Sequence, residues 1–245
     1  MSTTNPISEQ LVAAAKKLCT AVNKLSFEAP VTHVYNPLKY AWQAHEAYLN
    51  MVSDRGTNVV FLGMNPGPWG MAQTGVPFGE IAAARDWMGI NVPVKKPKNE
   101  HPKRIVEGFD CPKSEVSGRR LWGLFQERFG KPDKFFANHF VLNYCPLVFM
   151  EESARNRTPD KLPADEREPL DKACDKHLVA VLNILQPKHA VGVGAYAEKC
   201  LKRVLGESKC DAALSRILHP SPASPAANKD WAGKATAQLT EAGIW

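Results

Sequence analysis

Three neutral polar side chains, Asn65, Asn143 and His219, sit next to stretches of chain built to hold them still. Asn65 lies in GMNPGPWGMAQTGVPFGE, residues 63–80, where glycines and prolines recur and Glu80 is the one charge. Proline fixes φ, and glycine permits positive φ and close backbone approach. The result is a stiff loop with little side-chain bulk around Asn65. It can offer backbone N–H groups and one amide to a ligand, or it can be a long structural turn. It carries neither G-x-G-x-x-G nor G-K-[ST], so it is not a dinucleotide or phosphate loop. His219 opens HPSPASPAANKDW, residues 219–231, in which Pro220, Pro222 and Pro225 alternate with small residues. Taken alone this is a narrow, proline-rich connector. A histidine at its base could stabilise negative charge developing on a ligand.

The elements that position these residues follow from periodicity. Helices are expected at 7–25 (capped by Ser8), 117–129 (stopped by Gly130), 166–185, 195–205 and 228–242 (capped by Asn228). Strands are expected at 57–62, 135–144, 189–194 and 212–218. Strands alternating with helices give an α/β fold, a three-layer α/β/α arrangement around a mainly parallel four-stranded sheet. The chain reads as a single domain, 1–245, with the helical segment 1–30 packed on it. Asn65 then follows the first strand, Asn143 ends the second, Gly192 and Gly194 end the third, and His219 follows the fourth. Ligands of parallel sheets bind outside the carboxyl ends of the strands, so these segments converge on one rim. Residues 151–165, EESARNRTPDKLPAD, form a long polar excursion of the kind that is usually functional.

Composition narrows the classes. A net charge of +6 suits a polyanionic partner without establishing one. Lys95, Lys96, Lys98, His101, Lys103 and Arg104, broken by prolines, read either as a solvated loop or as phosphate contacts. No apolar run approaches a membrane span, and MSTTNPISEQ lacks the features of a secretory leader. Six scattered cysteines without a C-x-x-C pair read as reduced thiols of a cytosolic protein; the alternative, a four-cysteine iron–sulfur site, lacks the usual clustered spacing, and no metal or other cofactor is expected.

GMNPGPWGMAQTGVPFGE, FVLNYCPL and HPSPASPAANKDW together resemble the single-strand-selective monofunctional uracil-DNA glycosylases, one branch of the uracil-DNA glycosylase superfamily. EHPKR, CPKSEVSGRRLWG and AVGVG add to the likeness, which spans residues 35–243. The resemblance implies an enzyme of base excision repair that flips uracil out of single- or double-stranded DNA and hydrolyses its N-glycosidic bond. It implies that Asn65 holds the attacking water and that His219 stabilises the departing uracil anion. Phe78 would stack on the base, and Asn143 would donate to O4 and accept from N3–H. Met64, Gly67 and Met71 would line the base site, with Gly67 and Met71 near C5, where 5-hydroxymethyluracil carries its substituent. A wedge of Pro220, Ser221, Pro222, Ala223, Ser224, Pro225, Asn228 and Lys229 would enter the duplex, supported by Ser117, Gly118 and Arg119.

Two departures stand out. Trp69 replaces the Phe of vertebrate relatives, and Pro222-Ala223-Ser224-Pro225 lacks the Arg and Asn those relatives carry between the prolines. A smaller, uncharged wedge should hold a duplex opening less well. No lysine is placed as a Schiff-base nucleophile, so strand cleavage is not expected. The resemblance further implies a monomer without membrane association, cytoplasmic in a bacterium or nuclear in a eukaryote. The competing classes are a catalytically inactive nucleic-acid-binding protein on the same fold and a hydrolase of free nucleosides.

Overall fold

A computed structural model describes residues 6–245. In chain order the helices are α1 (Pro6–Val22), α2 (Pro37–Tyr40), α3 (Trp42–Leu49), α4 (Met71–Thr74), α5 (Val116–Phe129), α6 (Pro132–Phe136), α7 (Ala164–Leu185), α8 (Ala195–Leu205) and α9 (Pro225–Glu241). The strands are β1 (Val31–Tyr35), β2 (Val59–Gly63), β3 (His139–Asn143), β4 (Val148–Glu151), β5 (Asn156–Arg157), β6 (His189–Val193) and β7 (Ala213–Ile217).

The central sheet runs β3-β2-β6-β7, every pair parallel. It is the expected core of a three-layer α/β/α fold. All five residues of β2 are buried, because parallel strands are covered on both faces and lose the alternation of half-exposed strands. Phe61 of β2 meets Phe125 of α5 at 5.0 Å between ring centroids, and α8 packs on β2, β6 and β7. α1 packs along α7; residues 1–5 fall outside the described residues. No helix among the described residues is long and apolar enough to cross a membrane.

Three expectations need correction, and one sheet was unforeseen. Ser8 is buried within α1 and does not cap it. Phe135 and Phe136 belong to α6, opened by Pro132 at its first turn, and the strand starts only at His139. A short apolar run fits a buried helix as well as a strand. Asn228 does not cap the last helix either, since that helix begins at Pro225 and bends at Asp230. Finally, β1, β4 and β5 form a separate antiparallel sheet that the sequence did not disclose. It takes in the start of the polar excursion, and β5 is only two residues long.

Candidate active site

Gly63 and Asn143 are register partners at the carboxyl ends of β2 and β3. Just beyond them, Cys145 N–H donates to Met64 O at 2.9 Å, carrying the pairing past the strands. Asn65 therefore emerges from the centre of the sheet beside Asn143. Its Nδ2 donates to Leu147 O at 3.2 Å, which orients the amide, and its Oδ1 accepts no hydrogen bond among the described residues. Gly194, at φ +91° after β6, is where His219 packs; a Cβ there would sit 3.0 Å from the His219 Cβ. The rim inferred from sequence thus exists, and it closes a cavity of 480 Å³. Met64, Asn65, Gly67, Phe78, Asn143 and His219 line it. A groove of 460 Å³ between α1 and α7 is lined largely by alanines and lysines, with Gln10 and His177 among them, and lies on the helical layer away from the carboxyl rim of the sheet.

Burial lowers the His219 imidazole to about 4, so the ring is neutral near pH 7. Ser221 N–H donates to its Nδ1 at 3.1 Å. A backbone N–H can only donate, so Nδ1 carries no proton and Nε2–H is the ring's donor. His219 is thereby set up as a neutral hydrogen-bond donor.

Asn143 Nδ2 donates to Met71 Sδ at 3.3 Å, while its Oδ1 is buried with no partner. A buried orphan acceptor costs about 1–3 kcal/mol, so a ligand N–H that fills it is favoured. Phe78 is buried and holds φ +52°, which a bulky residue adopts only when its surroundings dictate it. Those surroundings are glycines. A Cβ on Gly118 would collide with the Phe78 carbonyl oxygen, and one on Gly63 would collide with the Phe78 ring and Asn143 Oδ1. The Phe78 ring lies 6.2 Å from that of His219.

The segment after His219 is a folded loop. Ser224 N–H donates to Ser221 O, and Asn228 Nδ2 donates to Pro222 O at 2.8 Å. Arg120 of α5 ties it down, donating to Pro220 O at 2.9 Å and to Asn228 Oδ1 at 3.0 Å. Pro220 is buried at its base, whereas Pro222, Ala223, Pro225, Asn228 and Lys229 are exposed and Ser221 and Ser224 partly so. Of the expected supports, Ser117 lines the cavity and Gly118 lies beneath Phe78. Arg119 instead donates to Ser114 Oγ at 3.0 Å, and the residue gripping the loop is Arg120.

Sequence reasoning also missed Glu115, Asn156 and Thr158, all in the lining. Glu115 lies within SEVSG, a stretch singled out only for likeness, and Asn156 and Thr158 belong to the polar excursion. The basic loop is fastened nearby. Tyr35 Oη accepts from His101 N–H and donates to Arg104 O at 2.9 Å, and the Arg104 guanidinium lies 5.1 Å from the centre of the Trp69 ring. No cluster of potential metal ligands occurs among the described residues.

A parallel α/β sheet with an amide-and-imidazole pocket at its carboxyl rim, lined among the described residues by neither lysine nor arginine, sets the class. The Uracil DNA glycosylase superfamily profile matches residues 50–240, and the chain belongs to that superfamily. It is 45% identical over 238 residues to the single-strand selective monofunctional uracil DNA glycosylase of Bos taurus, covering 97% of this chain and 88% of that protein. The Mus musculus protein of the same name is 45% identical over 241 residues, 98% of this chain and 86% of that one. Among solved structures, Pedobacter heparinus SMUG2 matches with a TM-score of 0.66 at 18% identity, covering 95% of this chain and 99% of that one, a likeness of fold.

Proposed function

We propose that this protein is a monofunctional uracil-DNA glycosylase that hydrolyses the N-glycosidic bond of a flipped-out uracil and leaves an abasic site. The observation that carries the reading is the orphaned Asn143 Oδ1 beside its own amide N–H, on a residue that lines the cavity together with neutral His219. Uracil offers N3–H to the oxygen and O4 to the amide. Cytosine offers an acceptor at N3 and a donor at N4, leaving both pairs mismatched and desolvated. Phe78 stacks on the base.

Asn65 is an amide and cannot be a strong base, so bond breaking must run ahead of water attack. Its free Oδ1 accepts from the water and aims it at the cationic sugar. The leaving uracil gathers negative charge on O2, and His219 Nε2–H stabilises it without first transferring a proton. No lysine lines the cavity, consistent with simple hydrolysis rather than Schiff-base chemistry.

The finer assignments belong to the same reading. Met71, whose sulfur already meets Asn143, and Gly67 face C5, so 5-hydroxymethyluracil is a further substrate. Exposed residues of 221–229 enter the duplex, and both single- and double-stranded DNA are bound. The enzyme acts as a monomer, off the membrane, wherever the chromosome lies: the cytoplasm of a bacterium or the nucleus of a eukaryote. The inactive-binder alternative is disfavoured because Asn65 and His219 both line the one cavity, as hydrolysis by this route requires.

The test is incubation with an oligonucleotide carrying one uracil, followed by hot alkali. Cleavage at uracil, with none at cytosine and none before alkali, is expected. Intact strands after alkali would refute the activity.

A further inference from the structure

Glu115, at the start of α5, lies in the wall of the cavity, yet the chemistry above gives it no part. Its carboxyl occupies the space where side chains of Gly67 and Gly70 would stand: a Cβ on either would collide with it. The loop after Asn65 is therefore folded around this carboxyl, and its glycines leave the room. The N–H groups of Trp69 and Gly70 face the carboxylate and favour its charge. Its Oε2 is shut off from solvent and has no hydrogen-bond partner.

We propose that Glu115 is the positioning residue of the water-holding loop, its ionised carboxylate gathering the backbone N–H groups of Trp69 and Gly70 so that Asn65 and Gly67 are held in register with the base. The role rests on the glycosylase reading of Asn65. Protonation removes charge from the acceptor those N–H groups share and loosens the loop at its centre, two to five residues from Asn65.

Burial raises the carboxyl to about 7, the two N–H groups oppose the rise, and Glu80 adds to it. The charged and titratable groups around it are few. Glu80, from the 75–82 loop, accepts from Ser114 Oγ at 2.9 Å, and Ser114 Oγ in turn accepts from Arg119 of α5. His219, from the 219–224 loop, is neutral above pH 5, given its value of about 4. Arg104 lies over the Trp69 ring, and Asn156 of β5 and Thr158 just after it carry no charge. Glu115 is thus the group placed to titrate near neutrality.

The experiment is the single-turnover rate of uracil release from a single-stranded oligonucleotide at pH 6, 7 and 8, with binding to abasic DNA measured alongside. A group of pKa about 7 is about one-tenth ionised at pH 6 and about nine-tenths at pH 8, so the parent rate should rise up to about ninefold. Glu115→Gln should be slower at pH 8 and flat within about twofold across the range, with abasic-DNA binding unchanged. Glu80→Gln, which removes the neighbouring negative charge, should move the acid limb to lower pH, and it keeps the proposal testable if Glu115→Gln does not fold. A parent rate that does not change with pH, a Glu115→Gln variant that keeps the parent's slope, or an unmoved limb in Glu80→Gln would overturn it. A parent that releases no uracil at any pH would instead overturn the glycosylase reading itself.

Discussion

Replacing Asn143 with leucine should make the protein more stable and nearly inactive. The parent buries an acceptor, Asn143 Oδ1, that nothing among the described residues satisfies. Such a group costs about 1–3 kcal/mol, and an apolar side chain of similar shape removes the cost. The bond given up is the one to Met71 Sδ at 3.3 Å, a weak acceptor. A net gain of about 1 kcal/mol is expected, which for a chain of this size raises Tm by about 2–4 °C. Uracil release moves the other way. Both hydrogen bonds to the base are lost, and at about 1.4 kcal/mol per tenfold the two together should slow release by at least about 100-fold. Thermal unfolding of the DNA-free protein and single-turnover base release on the same preparation give both numbers. A variant less stable than the parent would show that the orphaned acceptor is not a stored cost. A variant releasing uracil within threefold of the parent would show that Asn143 does not read the base.

His219→Ala should slow base release by about 10²–10³, and combining it with Asn65→Ala should cost less than the product of the single effects, because both act on one transition state; single-turnover rates on uracil DNA decide it. Arg120→Ala should free the 220–228 loop from α5, speeding dissociation from abasic duplex while leaving release from single strands within about threefold, as stopped-flow dissociation would show. Ala223→Arg, at an exposed position of that loop, should slow dissociation from abasic duplex more than from abasic single strand at one fixed salt concentration. Stability should fall as pH drops from 6.5 towards 4. Burial lowers His45, His139, His177 and His219 to about 4, so the unfolded chain takes up protons there that the folded chain refuses. Glu115, raised to about 7, works the other way, gaining stability as pH falls from 7 towards 4.5, but it is one group against four. Urea unfolding across that range checks the sign.

The parallel sheet and its rim were legible because they are written in local pattern. TNVVFL, FFANHFVLNY, HAVGVG and AALSRIL carry short apolar or β-branched runs that end at or just before glycine, asparagine or histidine, and of these end residues Asn143 and His219 line the cavity. Much less legible was whatever depends on contacts between distant segments. In the β1-β4-β5 sheet, β1 pairs with β4 more than a hundred positions away, and β5 is too short to show periodicity. Phe135 and Phe136 read as strand because aromatic pairs suit a buried helix equally well. Asn228 has the residue type of a helix cap but serves as a clasp across to Pro222 and Arg120, a role set by tertiary geometry. Glu115 was passed over since a lone glutamate at a helix start is ordinary; only the missing side chains of Gly67 and Gly70 show what it fills.

We propose that a uracil–sugar bond is broken in the rim pocket with a water held by Asn65. The direct measurement is the single-turnover release of uracil by the parent and by Asn65→Ala, under excess enzyme, with oligonucleotide binding and thermal unfolding recorded for both. Loss of a positioned amide at a reacting centre is worth about 2.7–4 kcal/mol, so Asn65→Ala should be about 10²–10³ slower while binding and unfolding match the parent. A variant that releases uracil within threefold of the parent, folded and bound to the same DNA, would contradict the account.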